Sequence, residues 1–208
     1  GTDPGTPMTI EYVTTSTLGN AADFGSVTGD TRSSGGGGGN AVRGVFGGGA
    51  EPNQPSYTPQ DEIHFITIAT LGNSIDFGNL NDAVSNCSAC SSPTRVVFNG
   101  GYTPSQTNQL QYIQTMSTGN ATDFGDLTTA KRGTHPAASR TRGLFGGMGD
   151  SPNNAQIDYI TIATTGNAAD FGDLTVGRGF GPGASSGIRG LFAGGYAGSN
   201  KNEIDFVT

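Results

Sequence analysis

GNAADFG at Gly19–Gly25 decides how the chain is read, because the chain returns to it three more times. The copies are GNSIDFG at Gly72–Gly78, GNATDFG at Gly119–Gly125 and GNAADFG at Gly166–Gly172, with successive intervals of 53, 47 and 47 residues. A period of this length is the signature of a solenoid, a propeller or an array. With 36 Gly and 10 Pro among 208 residues, the composition lies close to that of low-complexity segments. Disorder is nevertheless the poorer reading, since apolar residues recur in register and a disordered chain has no reason to keep them there.

Outward from the heptapeptide, each repeat divides into four short strands. The copy over residues 137–174 shows them best: a weak first strand near residues 137–140, RGLFGG at 142–147, IDYITIA at 157–163, and ADFGDLTV at 169–176. The third is rich in β-branched and aromatic residues, as a strand should be. A Gly-Asn turn separates it from the fourth. No 3.6-residue apolar period persists, so helices are not expected. The second strand recurs as RGVF at Arg43–Phe46, RVVF at Arg95–Phe98, RGLF at Arg142–Phe145 and RGLF at Arg189–Phe192, each followed by small, Gly-rich residues. The run SSGGGGG at 33–39 stands where other copies carry a strand, which predicts a frayed or distorted first strand there. EPNQPSYTPQDE at 51–62, with three prolines, predicts a long surface loop.

A four-stranded unit of about 47 residues cannot bury both faces alone, and radial stacking both buries them and protects the sheet edges. The expected fold is therefore all-β, a propeller of four blades with about four antiparallel strands each, over residues 9–208 after a flexible lead-in at 1–8. Phe46, Phe98, Phe145 and Phe192 on the second strand, with Phe24, Phe77, Phe124 and Phe171 on the fourth, are the expected filling between blades.

The run from a Gly-Gly-ending strand through IDYITIA and a tight turn to DFGDLTV resembles a kelch motif. More specifically, these repeats resemble the kelch-like arrays in large structural proteins of marine tailed bacteriophages. The resemblance covers residues 10–208. It departs from the usual pattern in placing Phe where the outer strand of a kelch blade carries Trp. It implies a binding or structural module without a particular chemistry.

Several function classes are disfavoured by the residues themselves. With 10 Lys and Arg against 17 Asp and Glu, and a net charge of −7, the chain lacks the clustered cations that a nucleic-acid surface needs. No apolar run is long enough for a transmembrane helix, so membrane insertion is not expected. Cys87 and Cys90 form a lone C-x-x-C without a second ligand pair, and small residues filling a strand are the better reading than a redox or metal site. No Ser/His/Asp or Cys/His set recurs, so no enzyme activity and no cofactor are expected. His64 reads as an exposed polar substitution and His135 as part of a solvated loop. The Asn and Asp residues at Asn120, Asp123 and Asp126, and at Asn167, Asp170 and Asp173, offer oxygens to calcium, but turn stabilisation accounts for them better.

Two sets of side chains remain as candidate sites. Arg43, Arg95, Arg142 and Arg189 occur once per repeat, as do Asp23, Asp76, Asp123 and Asp170. A positive ring for an anionic ligand is possible, and Arg–Asp pairing within each blade is the reading favoured, since four close arginines would otherwise repel. Tyr57, Tyr102 and Tyr196, in the loops after second strands, are the best candidates for stacking on a glycan.

The third strand has five copies, at residues 10–14, 63–69, 110–116, 157–163 and 204–208, against four of the others. Residues 22–27 are expected to complete the last blade, the usual ring-closing exchange of propellers, which leaves residues 10–14 without a slot. That strand then lies outside, or competes with residues 204–208, which would pair in another subunit. Exposed strands of this kind template association. The expectation is thus a self-associating, non-enzymatic structural module of a virion or an extracellular fibre. Its expected partners are copies of itself or other structural proteins. The alternative is a glycan-binding adhesin or receptor-binding propeller.

Overall fold

The computed structural model describes residues 8–29, 33–51, 57–149 and 154–208. Among them there is no helix, and four antiparallel sheets are arranged as a four-bladed propeller. In the first blade the strands run outward from the axis as Gly36–Gly39, Arg43–Gly47, Thr58–Thr67 and Ile75–Val84. A two-residue strand, Ala50–Glu51, pairs with the start of Thr58–Thr67. The second blade is Ser88–Ser91, Arg95–Asn99, Gln109–Gln114 and Thr122–Asp126, and the third His135–Ala138, Arg142–Gly146, Gln156–Thr161 and Ala169–Asp173. The fourth has three strands, Gly183–Ser185, Gly190–Ala193 and Ile204–Val207. Thr9–Tyr12 and Ala22–Ser26 form a separate hairpin.

The innermost strands share one axis. Gly36, Ser88, Thr134 and Gly183 line a single cavity of about 420 Å³ at one end of it, and Gly39, Ser91, Ala138 and Ser185 line another of about 400 Å³ at the other end. Small residues are required there, because the backbones converge. This explains the polyglycine run, which was expected to be frayed. Gly36–Gly39 is a regular strand, paired residue by residue with residues 44–47. A Cβ on Gly36 would lie 2.9 Å from the Ser88 backbone, so glycine here permits close approach. The expected long loop at 51–62 is also shorter than its composition suggests. Its part at residues 52–56 lies outside the described residues, and from Thr58 the chain is already strand. Pro59 is accommodated at the short Ala50–Glu51 ladder.

In the hairpin and the first three blades, the third and outer strands pair with a register shift just before the polar residue of the third strand (Ile10/Glu11, Ile63/His64, Leu110/Gln111, Ile157/Asp158). The extra outer-strand residue is a bulge. The glycines of the DFG triplets, Gly25, Gly78, Gly125 and Gly172, sit at this bulge with φ of 151°, 140°, 137° and 140°. This backbone region is nearly closed to other residues.

Apolar filling lies between successive blades, with the second-strand phenylalanine of the second, third and fourth blades inserted into the core of the one before. Phe98 packs with Val45, Ile63 and Leu80, Phe145 with Val97, Leu110 and Leu127, and Phe192 with Leu144, Ile157 and Leu174. Each fully buried ring contributes about 2 kcal/mol of transfer free energy. The eight expected phenylalanines do not all reach this state: Phe46 and Phe171 are only half-buried. Phe46 instead borders a cavity of about 390 Å³ shared with Ile10 and Val27 of the hairpin. On the fourth blade, Leu191, Ile204 and Phe206 are 37, 69 and 60 % exposed, whereas the equivalent Leu144 and Ile157 of the third blade are 7 and 1 % exposed.

The innermost strands pack on one another from the first blade through to the fourth, but no comparable packing brings the fourth back onto the first. The expected ring-closing exchange is accordingly not made. Ala22–Ser26 pairs with Thr9–Tyr12, and the outer side of Gly190–Ala193 is held by Ile204–Val207. The hairpin is instead fixed to the first blade by the contacts described next.

Candidate functional site

The repeated heptapeptide is a joint between neighbouring repeats. Its Gly-Asn end docks on the DFG end of the preceding copy. Gly72 N donates to Phe24 O at 2.8 Å and Ser74 N to Ser26 O at 2.9 Å, while Asn73 Oδ1 accepts from Ser26 N at 3.0 Å. The next joint repeats this: Gly119 N to Phe77 O (2.7 Å), Ala121 N to Asn79 O (2.8 Å), and Asn79 N to Asn120 Oδ1 (3.1 Å). So does the third, with Gly166 N to Phe124 O (2.7 Å), Ala168 N to Asp126 O (2.7 Å), and Asp126 N to Asn167 Oδ1 (3.1 Å). At about 1 kcal/mol net per bond, each joint is comparable to the burial of one aromatic ring. The bulge glycine is indispensable to it, since a Cβ at Gly25, Gly78 or Gly125 would collide with the backbone of the docked Gly72, Gly119 or Gly166.

A second contact follows on the same seam. The third strand of each repeat carries a polar residue at one register position: Glu11, His64, Gln111, Asp158 or Asp205. Strand alternation turns it toward the preceding repeat in every blade where such a repeat is present. Thr28 Oγ1 lies 3.3 Å from His64 Nδ1, Asn81 N donates to the Gln111 amide oxygen, Thr128 Oγ1 donates to Asp158 Oδ1 at 2.6 Å, and Thr175 Oγ1 to Asp205 Oδ1 at 2.7 Å. In the last two cases a cation joins. Lys131 Nζ is 3.1 Å from Asp158 Oδ2 with both side chains fully buried, and Arg178 Nη1 is 2.8 Å from Asp205 Oδ2. Burial lowers the Lys131 pKa, with the Asp158 charge opposing that shift. Partial burial raises the Asp205 carboxyl, but the hydrogen bonds from Thr175 and Arg178 outweigh it, and the net shift is downward. These cations and carboxylates were not picked out in the sequence. Their signal was available: Lys131 and Arg178 are 47 residues apart, and so are Asp158 and Asp205.

The four repeated arginines do not pair with the four repeated aspartates. Arg43, Arg95, Arg142 and Arg189 lie over the third-strand aromatics Phe65, Tyr112, Tyr159 and Phe206, with guanidinium carbon to ring centroid distances of 4.2, 4.5, 4.8 and 4.8 Å. Register explains this. Arg43, Arg95 and Arg142 open the second strand opposite the end of the third, as in Arg142↔Thr161, and Arg189 directly precedes it, so the aromatic two residues back is the diagonal neighbour. Asp76, Asp123 and Asp170 face His64, Gln111 and Asp158, one strand further out and toward the other end. Asp76 and Asp170 accept from the bulge amides of Gly78 and Gly172 at 3.1 and 2.9 Å. The aromatic in turn meets the outer phenylalanine edge-on, at 5.9 Å for Phe65–Phe77, 5.8 Å for Tyr112–Phe124 and 6.1 Å for Tyr159–Phe171. Three blades thus carry a complete arginine–aromatic–phenylalanine stack. The fourth has Arg189 and Phe206 only, and the N-terminal hairpin has Tyr12 and Phe24, 6.1 Å apart.

Both histidines are buried, contrary to the sequence expectation. His64 is the first blade's occupant of the polar register position and reaches Glu62 at 3.3 Å. His135 opens the third blade's innermost strand, where Nδ1 lies 3.2 Å from Pro182 O. Burial holds His135 below the ordinary imidazole range; the Pro182 carbonyl opposes this, and Arg178 adds to it. Cys87 and Cys90 are free, fully buried and packed in the cores, and burial pushes their thiols up to about 11 and about 12, far from the thiolate needed for redox or metal chemistry. Among the described residues no three His, Cys, Asp or Glu side chains come together as a metal site requires.

Tyr57, Tyr102 and Tyr196 are each partly exposed. Tyr102 and Tyr196 occupy matching places in the second and fourth blades, bridged to Ser85 and Gly179 just before the innermost strands. Tyr57 lies at a different place and hydrogen-bonds Ser33 Oγ. Arg132 covers the Tyr102 ring at 4.8 Å. None of the three lines the axial cavities, so they mark the rim without forming a shared pocket.

What the geometry shows is strand-and-turn docking between successive repeats of one chain. No protein-family model and no curated protein sequence matches the chain.

Proposed function

We propose that the protein is a non-enzymatic structural module that works by assembling with copies of itself, in the setting of a virion or an extracellular fibre. The kelch-like resemblance to phage structural arrays supports the setting. The observation that carries the assembly role is the fourth blade, which has three strands among the described residues and whose Ile204–Val207 edge presents exposed Ile204 and Phe206. A short, poorly buried edge strand is a place where another chain can add or exchange a strand. Light scattering across a wide concentration range tests this. Particle mass should rise with concentration; a constant monomer mass would overturn it.

A second reading, a glycan-binding propeller, draws on the partly exposed Tyr102 and Tyr196 at matching points of the rim, with Tyr57 as a further stacking surface. Binding on a glycan array that Tyr102→Ala and Tyr196→Ala both abolish would favour it. Failure to bind any glycan would leave assembly as the role.

A further inference from the structure

Among the described residues three joints are complete, and two further segments each resemble one half of such a joint. The half at the N-terminal side is the hairpin of Thr9–Tyr12 and Ala22–Ser26 with its turn at Gly19 and Asn20. Here Ala21 is exposed where Ala121 of a docked turn is buried, and Gly19 lacks the positive φ of the docked Gly72, Gly119 and Gly166 (148°, 147° and 154°). The other half is residues 171–173 of the third blade. The joint bonds that Phe124 O and Asp126 N make are not repeated at Phe171 O and Asp173 N, and the space beside Gly172 is open where Gly125 is covered by Gly166.

We infer that a second copy of this chain docks its N-terminal hairpin on the third and fourth blades, with its Gly19–Asn20 turn seated on residues 171–173. The inference rests on the self-association proposed above and names its contacts. For the turn to reach residues 171–173, Thr9–Tyr12 of the incoming copy takes the place of Ile204–Val207 beside Gly190–Ala193. The repeat register then aligns Ile10 with Ile204, Glu11 with Asp205 and Tyr12 with Phe206. Glu11, which is exposed in its own hairpin, meets Arg178 as Asp205 does now, and Tyr12 comes under Arg189, completing an arginine–aromatic–phenylalanine stack with Phe24. The strand displaced is four residues long and poorly buried, whereas the hairpin adds an outer strand and the turn bonds that the fourth blade lacks. Arrangement of unlike surfaces head to tail extends a filament unless the rotation closes it.

Disulfide trapping under mild oxidation separates the possibilities, because both native cysteines are buried. Asn20→Cys and Asp173→Cys are made as separate chains and mixed. The expected result is a covalent dimer in the mixture that neither variant forms alone. An intrachain disulfide in the doubly substituted chain, without dimers in the mixture, would mean that the hairpin closes its own ring and would overturn the inference, as would the absence of any disulfide. Light scattering gives the second readout: Asn20→Ala and Glu11→Lys, whose side chains make no hydrogen bond or ion pair among the described residues, should each weaken association at least tenfold. If the parent chain associates and both substitutions leave its mass unchanged, this interface is wrong while self-association stands. If the parent is monomeric throughout, self-association itself fails.

Discussion

The turns at Gly119–Asn120 and Gly19–Asn20 have almost the same residues around them, yet they are different objects. The first is locked on the outer strand of the preceding repeat, with Gly119 at φ 147° and Ala121 buried. The second meets no other repeat among the described residues, and its glycine is outside the positive-φ region. The difference shows that GNxxDFG specifies a relation between two repeats more than the conformation of one. Its second glycine gives room where a neighbour's backbone arrives, its first takes a positive φ in the docked turn, and its asparagine is needed where a neighbour's amide must be met.

Substitutions at matched positions inside and at the ends of the array can break this comparison. The largest contrast is expected at the polar register position. Asp158→Ala leaves the Lys131 ammonium buried without its partner and should cost about 3–5 kcal/mol, whereas Glu11→Ala should leave the midpoint of urea unfolding unchanged. Next come the bulge glycines. Gly125→Ala and Gly172→Ala share the strain of a φ near 140°, about 1–3 kcal/mol, but only the first also collides with a docked turn. Gly125→Ala should therefore be the more destabilising by about 2 kcal/mol, and equal losses would show that the joint contributes nothing. Smaller again, Asn120→Ala removes one acceptor from a joint and should cost about 1 kcal/mol in the monomer, with no loss for Asn20→Ala at concentrations where the chain is not associated.

The smallest effect concerns pH. Because burial holds His135 below its ordinary range, the unfolded chain binds a proton that the folded chain refuses as the pH falls below about 6.5. Stability should therefore decline from pH 7 toward pH 5, and the decline should flatten in His135→Gln. If the slope is the same in both, His135 is not the group that titrates.

Much of the fold was legible because strands and turns are written locally. The 47-residue period, the β-branched third strand and the Gly-Asn turn fixed the blade as a unit, but the glycines of the first strand, which read as a frayed strand, gave no sign of the crowded axis that requires them. Legibility ended where a side chain's partner lies in another strand or another repeat. Pairing the repeated arginines with the repeated aspartates followed charge and periodicity alone. Register placed an aromatic ring closer, because Arg142 sits opposite Thr161 and diagonal to Tyr159 while Asp170 sits one strand further out. His64 and His135 were read as exposed for the same reason: polarity predicts water only when nothing else can cover the group.

By itself, then, the sequence determined that this protein is an array of like β units with interchangeable faces, since hydrophobic period and turn chemistry act over a few residues. The tertiary structure alone decided which faces meet. It turned a repeated heptapeptide into a joint, buried Lys131 against Asp158, and set the hairpin at residues 9–26 against the first blade. These outcomes depend on contacts between residues about one repeat or more apart, and such contacts exist only once the backbones have converged on a common axis.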